Sequence, residues 1–191
     1  MRDFNYSLLK DLKWDSEIVS YLTAIHEAKG KQELYLKQQP EKLNKLVEIA
    51  KIQSTESSND IEGIRTTNTR LKQLLTDKTT PKNRDEEEIA GYRDALNEIH
   101  LGYEHIDFRQ SDILRLHEMM MSFAGYEYGG QYKTDDNVIL EIDADGNRRV
   151  RFRPTPASET PKAMEQLELA YLDARSDANI NQLLLIPCVI L

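Results

Sequence analysis

Apolar residues recur every three to four positions along most of the chain, and that spacing predicts a mainly helical protein. Residues 41–54 set Leu43, Leu46, Val47, Ala50 and Ile52 near one helical face. Residues 85–101 do the same with Ile89, Tyr92, Leu96 and Ile99, after an acidic first turn (Asp85, Glu86, Glu87, Glu88) that suits the positive end of a helix dipole. Ser111 is the expected N-cap of a helix carrying Leu114, His117, Met120 and Met121. Thr160-Pro161 opens another, with Met164, Leu167, Tyr171 and Leu172, because proline in the first turn forfeits no hydrogen bond. Shorter helices are expected over residues 16–28 and through Leu71, Leu74 and Leu75. The predicted core contains Leu43, Leu46, Leu96, Ile99, Leu114, Met121, Leu167, Tyr171 and Leu184.

One interval changes period. Val138, Leu140 and Ile142 alternate with Ile139, Glu141 and Asp143; Asp145-Gly146 supplies a tight turn; Val150 and Phe152 then alternate with Arg149, Arg151 and Arg153. This predicts a β-hairpin between Gly129-Gly130 and Pro154. A lone hairpin is marginal in water, so it either lies on the helices or receives something at its edge. Asp135, Asp136, Glu141, Asp143 and Asp145 on one arm face Arg148, Arg149, Arg151 and Arg153 on the other. That arrangement favours cross-strand charge pairing over phosphate binding.

Composition narrows the function classes. The 191 residues carry 25 Lys plus Arg against 33 Asp plus Glu, a net charge of −8, which excludes a general affinity for nucleic acid or anionic membrane. No apolar run is long enough to span a bilayer, and the charged start lacks a secretory pattern, so a cytoplasmic setting is expected. The single cysteine, Cys188, sits in an apolar run where burial disfavours the thiolate. His26, His100, His105 and His117 lack ligand or base spacing, and His117 falls on an apolar face as a hydrogen-bonded structural histidine would. Asp143, Asp145 and Asn147 have a faint calcium-loop look without the required glutamate. No set of residues shows metal-ligand spacing, and none of these features makes an active site.

The stretch after the first amphipathic stripe, Ser57-Ser58-Asn59-Asp60-Ile61-Glu62-Gly63-Ile64, is different. Gly63 suits the left-handed residue that ends a helix. Glu62, though, opposes the negative end of that helix's dipole, and so is expected to be placed for a cationic partner, an arginine. Ser58-x-x-x-Glu62-Gly63 resembles the inhibitory motif Ser/Thr-x-x-x-Glu-Gly/Asn of Fic-domain proteins whose inhibitory helix precedes the catalytic core. Gly130-Gln131-Tyr132-Lys133 followed by Asn137-Val138-Ile139 is similar to the family's flap, and Arg153-Pro154-Thr155-Pro156 through Pro161 to the link after it. His117 matches a family helix position that is usually structural. The resemblance spans roughly residues 40–191 with the parts in the family's order.

The resemblance implies a Fic-like helical domain over residues 41–191, with the inhibitory helix at about 41–63 and the flap hairpin at about 130–154, preceded by a helical extension over 1–40. It implies adenylyl transfer, AMP passing from ATP to a protein hydroxyl, with ATP and magnesium as the intact protein's cofactors and a protein substrate docked at Lys133, Asn137, Val138 and Ile139. Glu62 would pair with the motif arginine that grips the γ-phosphate, with Ser58 fixing the turn. The family's His-Pro-Phe-x-Asp/Glu-Gly-Asn-Gly-Arg-x-x-Arg motif, whose histidine is the general base, occurs nowhere in the 191 residues. Truncation before that motif is therefore expected, leaving a chain without catalytic residues, binding ATP poorly, and with an apolar end that offers a route to self-association. The alternative is a non-catalytic helical interaction module that uses the hairpin edge.

Overall fold

A computed structural model describes residues 4–76, 79–125, 128–143 and 145–190, and at Lys37 the backbone alone. Among the described residues it is mainly helical, with one two-stranded antiparallel hairpin. The helices are α1 (Ser16–Gln38), α2 (Pro40–Ile61), α3 (Asn68–Thr76), α4 (Arg84–Gly102), α5 (Gln110–Met121), α6 (Thr160–Ser176) and α7 (Gln182–Ile190). The strands are β1 (Ile139–Ile142) and β2 (Arg148–Phe152). The chain divides into two compact units. The first holds Leu12–Ile106 with Met119–Gly129; the second holds Met1–Asp11, Asp107–Glu118 and Gly130–Leu191. Residues before Glu41, expected as one extension, are thus shared between the two.

In the first unit α1 runs on to Gln38, well past its expected end, and Asp15 caps it by accepting from the Ile18 N–H at 2.9 Å. Pro40 starts α2 after the single intervening residue Gln39. α3 and α4 pack through Leu71, Leu74 and Ile89, with Ile64 and Leu75 alongside. An ion pair seals that contact: Arg70 Nη2 lies 2.8 Å from Glu86 Oε2, and both side chains are nearly buried. The guanidinium beside it, opposed by burial, holds the Glu86 carboxyl below the usual range. Arg93 is buried too, donating to the Leu74 carbonyl at the end of α3 and to Asp94, and lying over the Phe123 ring. Gly91 fits where α4 meets the Met120 carbonyl; a Cβ there would sit 2.0 Å from that oxygen.

The second unit packs Ala174, Ile180 and Leu185 with Tyr6, Leu9, Tyr171 and Val189. Phe108 meets Tyr171 edge-on at 5.1 Å, and Arg175 pairs with Asp107. Ser111, expected as an N-cap, lies inside α5. Gln110 begins that helix, and its N–H and side-chain amide both donate to Glu168 of α6, 58 positions away, a partner that local sequence cannot reveal. His117 is half-buried and accepts from the Gly130 N–H at 3.1 Å through Nδ1, where Gly130 takes a φ of 75°.

Hairpin register pairs Glu141 with Arg149, whose guanidinium makes contacts of 3.0 and 2.9 Å to the carboxylate, the cross-strand pairing the charges predict. Val138 lies outside the strand, which starts at Ile139. A register shift at Ile139/Leu140 leaves Arg151 as the extra residue. The turn closes from the Gly146 N–H to the Asp143 carbonyl, with Gly146 at φ 84°; Ala144 lies outside the described residues, as does Leu191. The Asp143 carboxylate is held below its ordinary range by the Asn147 N–H and side chain and by the Asp145 and Gly146 N–H groups.

The predicted core is the largest correction. None of its nine residues is fully buried, and Leu46 and Ile99 are exposed. The buried apolar set is instead Leu71, Leu74, Ile89, Ala90, Ala95, Ala174, Ile180 and Leu185. Periodicity identifies a face but not what covers it, and small alanines reach full burial where larger neighbours remain at the rim.

Candidate functional site

The end of α2 is built from polar residues turned inward. Thr55 and Asn59 are buried, and each donates back along its own helix, Thr55 Oγ1 to the Lys51 carbonyl and Asn59 Nδ2 to the Thr55 carbonyl, both at 2.8 Å. Ser58 is half-buried and its hydroxyl meets Tyr92 OH of α4 at 3.0 Å, tying the last turn of α2 to α4. Gly63, at φ 78°, ends the helix as expected. Its N–H donates to the Asp60 carbonyl and the Ile64 N–H to the Asn59 carbonyl, at 3.1 and 2.9 Å, the two bonds of a left-handed helix end. Glu62 is therefore held at a defined place, the cap position of α2.

That place is the wall of a cavity of about 620 Å³ within the first unit. Glu62, Asp85 and Glu88 bring three carboxylates to it against one guanidinium, Arg84, whose Nε is 2.8 Å from Glu88. Ile64, Met120 and Met121 form the apolar side, and Ser58 and Tyr92 complete the wall near Glu62. Glu62 is exposed and makes no ion pair among the described residues. A cavity of this size takes a ligand-scale group, and its excess of carboxylates attracts a cation and repels a phosphate chain.

Ser58, Glu62 and Gly63 thus lie together. Lys133, Asn137, Val138 and Ile139 form a separate set in the second unit. Lys133 Nζ donates to Asn137 Oδ1 at 2.7 Å, and Val138 and Ile139 are 41% and 49% exposed. Sequence reading missed the acidic and aromatic residues that α4 contributes to the cavity, Asp85, Glu88 and Tyr92. It also missed Asn83, which caps α4 by accepting from the Glu86 N–H at 3.0 Å; the Asn-x-x-Glu spacing is the available signal for that cap. Among the described residues no group of three or more His, Cys, Asp or Glu could hold a metal ion, and no helix is long and apolar enough to cross a membrane. No protein-family model matches the chain, and no curated protein matches it in sequence.

Proposed function

We propose that this chain is the regulatory and target-docking part of a Fic-type protein adenylyltransferase, in which Glu62 holds the nucleotide site shut by pairing with an arginine supplied from outside these residues. The observation that carries the reading is Glu62 itself: an unpaired carboxylate at the end of a helix whose dipole it opposes, on the wall of a cavity rich in negative charge. Such a wall receives a guanidinium with charge-assisted hydrogen bonds, and a triphosphate cannot share that guanidinium. Ser58, held by Tyr92, keeps the last turn of α2 in place for the contact.

The residues present do not fit ATP, because Glu62, Asp85 and Glu88 line the cavity and repel a phosphate chain, and among the described residues no group of three or more His, Cys, Asp or Glu could hold a metal ion such as magnesium. Nucleotide and metal belong with the histidine motif, and this chain alone transfers no AMP. Lys133, Asn137, Val138 and Ile139 lead into the hairpin along which a protein substrate docks as an added strand. A cytoplasmic setting follows from the same reading. One observation favours the second reading, a non-catalytic interaction module: Ile139, Leu140, Ile142, Val150 and Phe152 are all exposed on a sheet of two strands, each with a free edge.

The test is AMP transfer from labelled ATP by the protein extended through the sequence encoded after Leu191. A histidine motif there, and labelling that rises about tenfold or more on Glu62→Gly, is the expected result, the gain matching the loss of one charge-assisted contact. Equal labelling of the two proteins, or no such motif, overturns the proposal and leaves the interaction module.

A further inference from the structure

A second cavity, of about 290 Å³, lies in the first unit where three helices converge. α2 brings Glu48, Lys51 and Ile52 to its wall and α4 brings Arg93, Leu96 and Asn97, each a set of neighbours on one helical face. Leu75 joins them from α3. Among the described residues it shares no wall residue with the cavity of Glu62. Its polar groups are donors that lack acceptors. The Lys51 side chain is only 17% exposed, yet its Nζ makes no hydrogen bond among the described residues. Its one ionic neighbour there, Glu48, stands 3.9 Å away and is 71% exposed. Arg93 is 6% exposed; its Nε and Nη1 donate to Asp94 and to the Leu74 carbonyl, and its Nη2 donates to nothing. Asn97 is half-buried, and its amide is likewise without a partner among the described residues. No fully buried side-chain nitrogen or oxygen among them lacks a partner, so these free donors reach open space, and the space they line is the cavity.

A nearly buried ammonium without a hydrogen bond is costly, and an acceptor that enters the cavity relieves it. Glu48 and Asp94 already offset the two formal charges, so the site wants acceptor atoms and not a large negative charge. A carboxylate supplies two oxygens, one for the Lys51 ammonium and one for Arg93 Nη2, with the Asn97 amide beside them. A phosphate brings more oxygens and more charge than these donors answer. The rest of the wall, Ile52, Leu75 and Leu96, is apolar and suits a hydrocarbon body. We propose that this cavity binds a small aliphatic monocarboxylate, its head received by Lys51, Arg93 and Asn97 and its alkyl chain by Ile52, Leu75 and Leu96. The site is independent of the adenylyl-transfer reading, and its test needs no nucleotide.

The experiment titrates the isotopically labelled full chain with isovalerate and follows amide shifts by NMR. The expected result is saturable shifts within about 10 mM, concentrated at Lys51, Leu75, Arg93 and Asn97. Isoamyl alcohol, the same skeleton without the carboxylate, and inorganic phosphate are expected to give no saturable shifts at those residues. Lys51→Met keeps an apolar stem and removes the unbonded ammonium, and it weakens isovalerate binding by about tenfold or more. Asn97→Leu, which leaves both charges in place, weakens it by about threefold and decides the matter should Lys51→Met not fold. Shifts absent at these residues, the alcohol or phosphate binding as tightly as the acid, or isovalerate affinity unchanged in the folded variants overturns the inference.

Discussion

Gly91 and Gly30 are both helix-interior glycines, and alanine at the two sites has opposite expected effects. Helix propensity favours alanine by about 1 kcal/mol at either position. At Gly30 in α1 nothing lies within 4 Å of an added Cβ, so the gain is realised in full. At Gly91 in α4 the Cβ would stand 2.0 Å from the Met120 carbonyl oxygen and 2.7 Å from its carbon, where 3.0 Å is the closest approach real Cβ atoms make. Relief needs a shift of about 1 Å by main chain, not by the tip of a flexible side chain, and overpacking of that kind costs about 3 kcal/mol. The net for Gly91→Ala is a loss of about 2 kcal/mol. For a chain of this length that lowers the melting temperature by about 4–8 °C, whereas Gly30→Ala raises it by about 2–4 °C. Thermal unfolding followed by circular dichroism at 222 nm reads both. Gly91→Ala melting at or above the wild type would refute the close approach of α4 to the Met120 main chain.

Leu74→Ala, at a fully buried position, is expected to lose about 3 kcal/mol in urea unfolding, while Leu46→Ala, at a position 58% exposed, loses less than about 1. The Glu86 carboxyl has a lowered folded-state pKa, caused first by Arg70, so its contribution is present above its ordinary value of 4.5 and is lost as pH falls through the folded value. The stability gap between wild type and Glu86→Gln, measured by thermal melts, should therefore be widest near pH 7 and narrow below pH 4.5; a gap constant down to pH 3 contradicts the pairing. Tyr92→Phe removes the 3.0 Å contact to Ser58 and keeps the ring, and should cost about 1 kcal/mol while speeding amide exchange at the end of α2 more than in α3.

Elements were more legible than burial. Periodicity located the helices, the Thr160-Pro161 start was visible locally, and Gly63 announced the end of α2 because only a residue free of a Cβ takes that φ cheaply. The hairpin was visible from its change of period and its Asp-Gly turn. What escaped depends on partners distant in the chain. Glu168 replaces a local cap at Gln110, Met120 demands Gly91, and Arg70 buries Glu86 within what reads as a solvated acidic first turn. The candidate site divides the same way. Glu62 was conspicuous because its charge conflicts with the helix end that carries it, whereas Asp85 and Glu88 read as a first turn suited to the helix dipole and Tyr92 as one residue of an apolar face until α4 is laid beside α2.

The contact that the functional reading requires can be measured directly by titrating the isotopically labelled chain with a synthetic peptide of the Gly-Asn-Gly-Arg-x-x-Arg type and following amide shifts by NMR. Saturable shifts concentrated at Ser58, Glu62, Gly63 and Tyr92, abolished by Glu62→Gly and by replacing the peptide's arginines with norleucine, are the predicted result. Shifts absent at those four residues up to millimolar peptide, or unchanged by Glu62→Gly, would contradict the claim that this carboxylate receives a guanidinium.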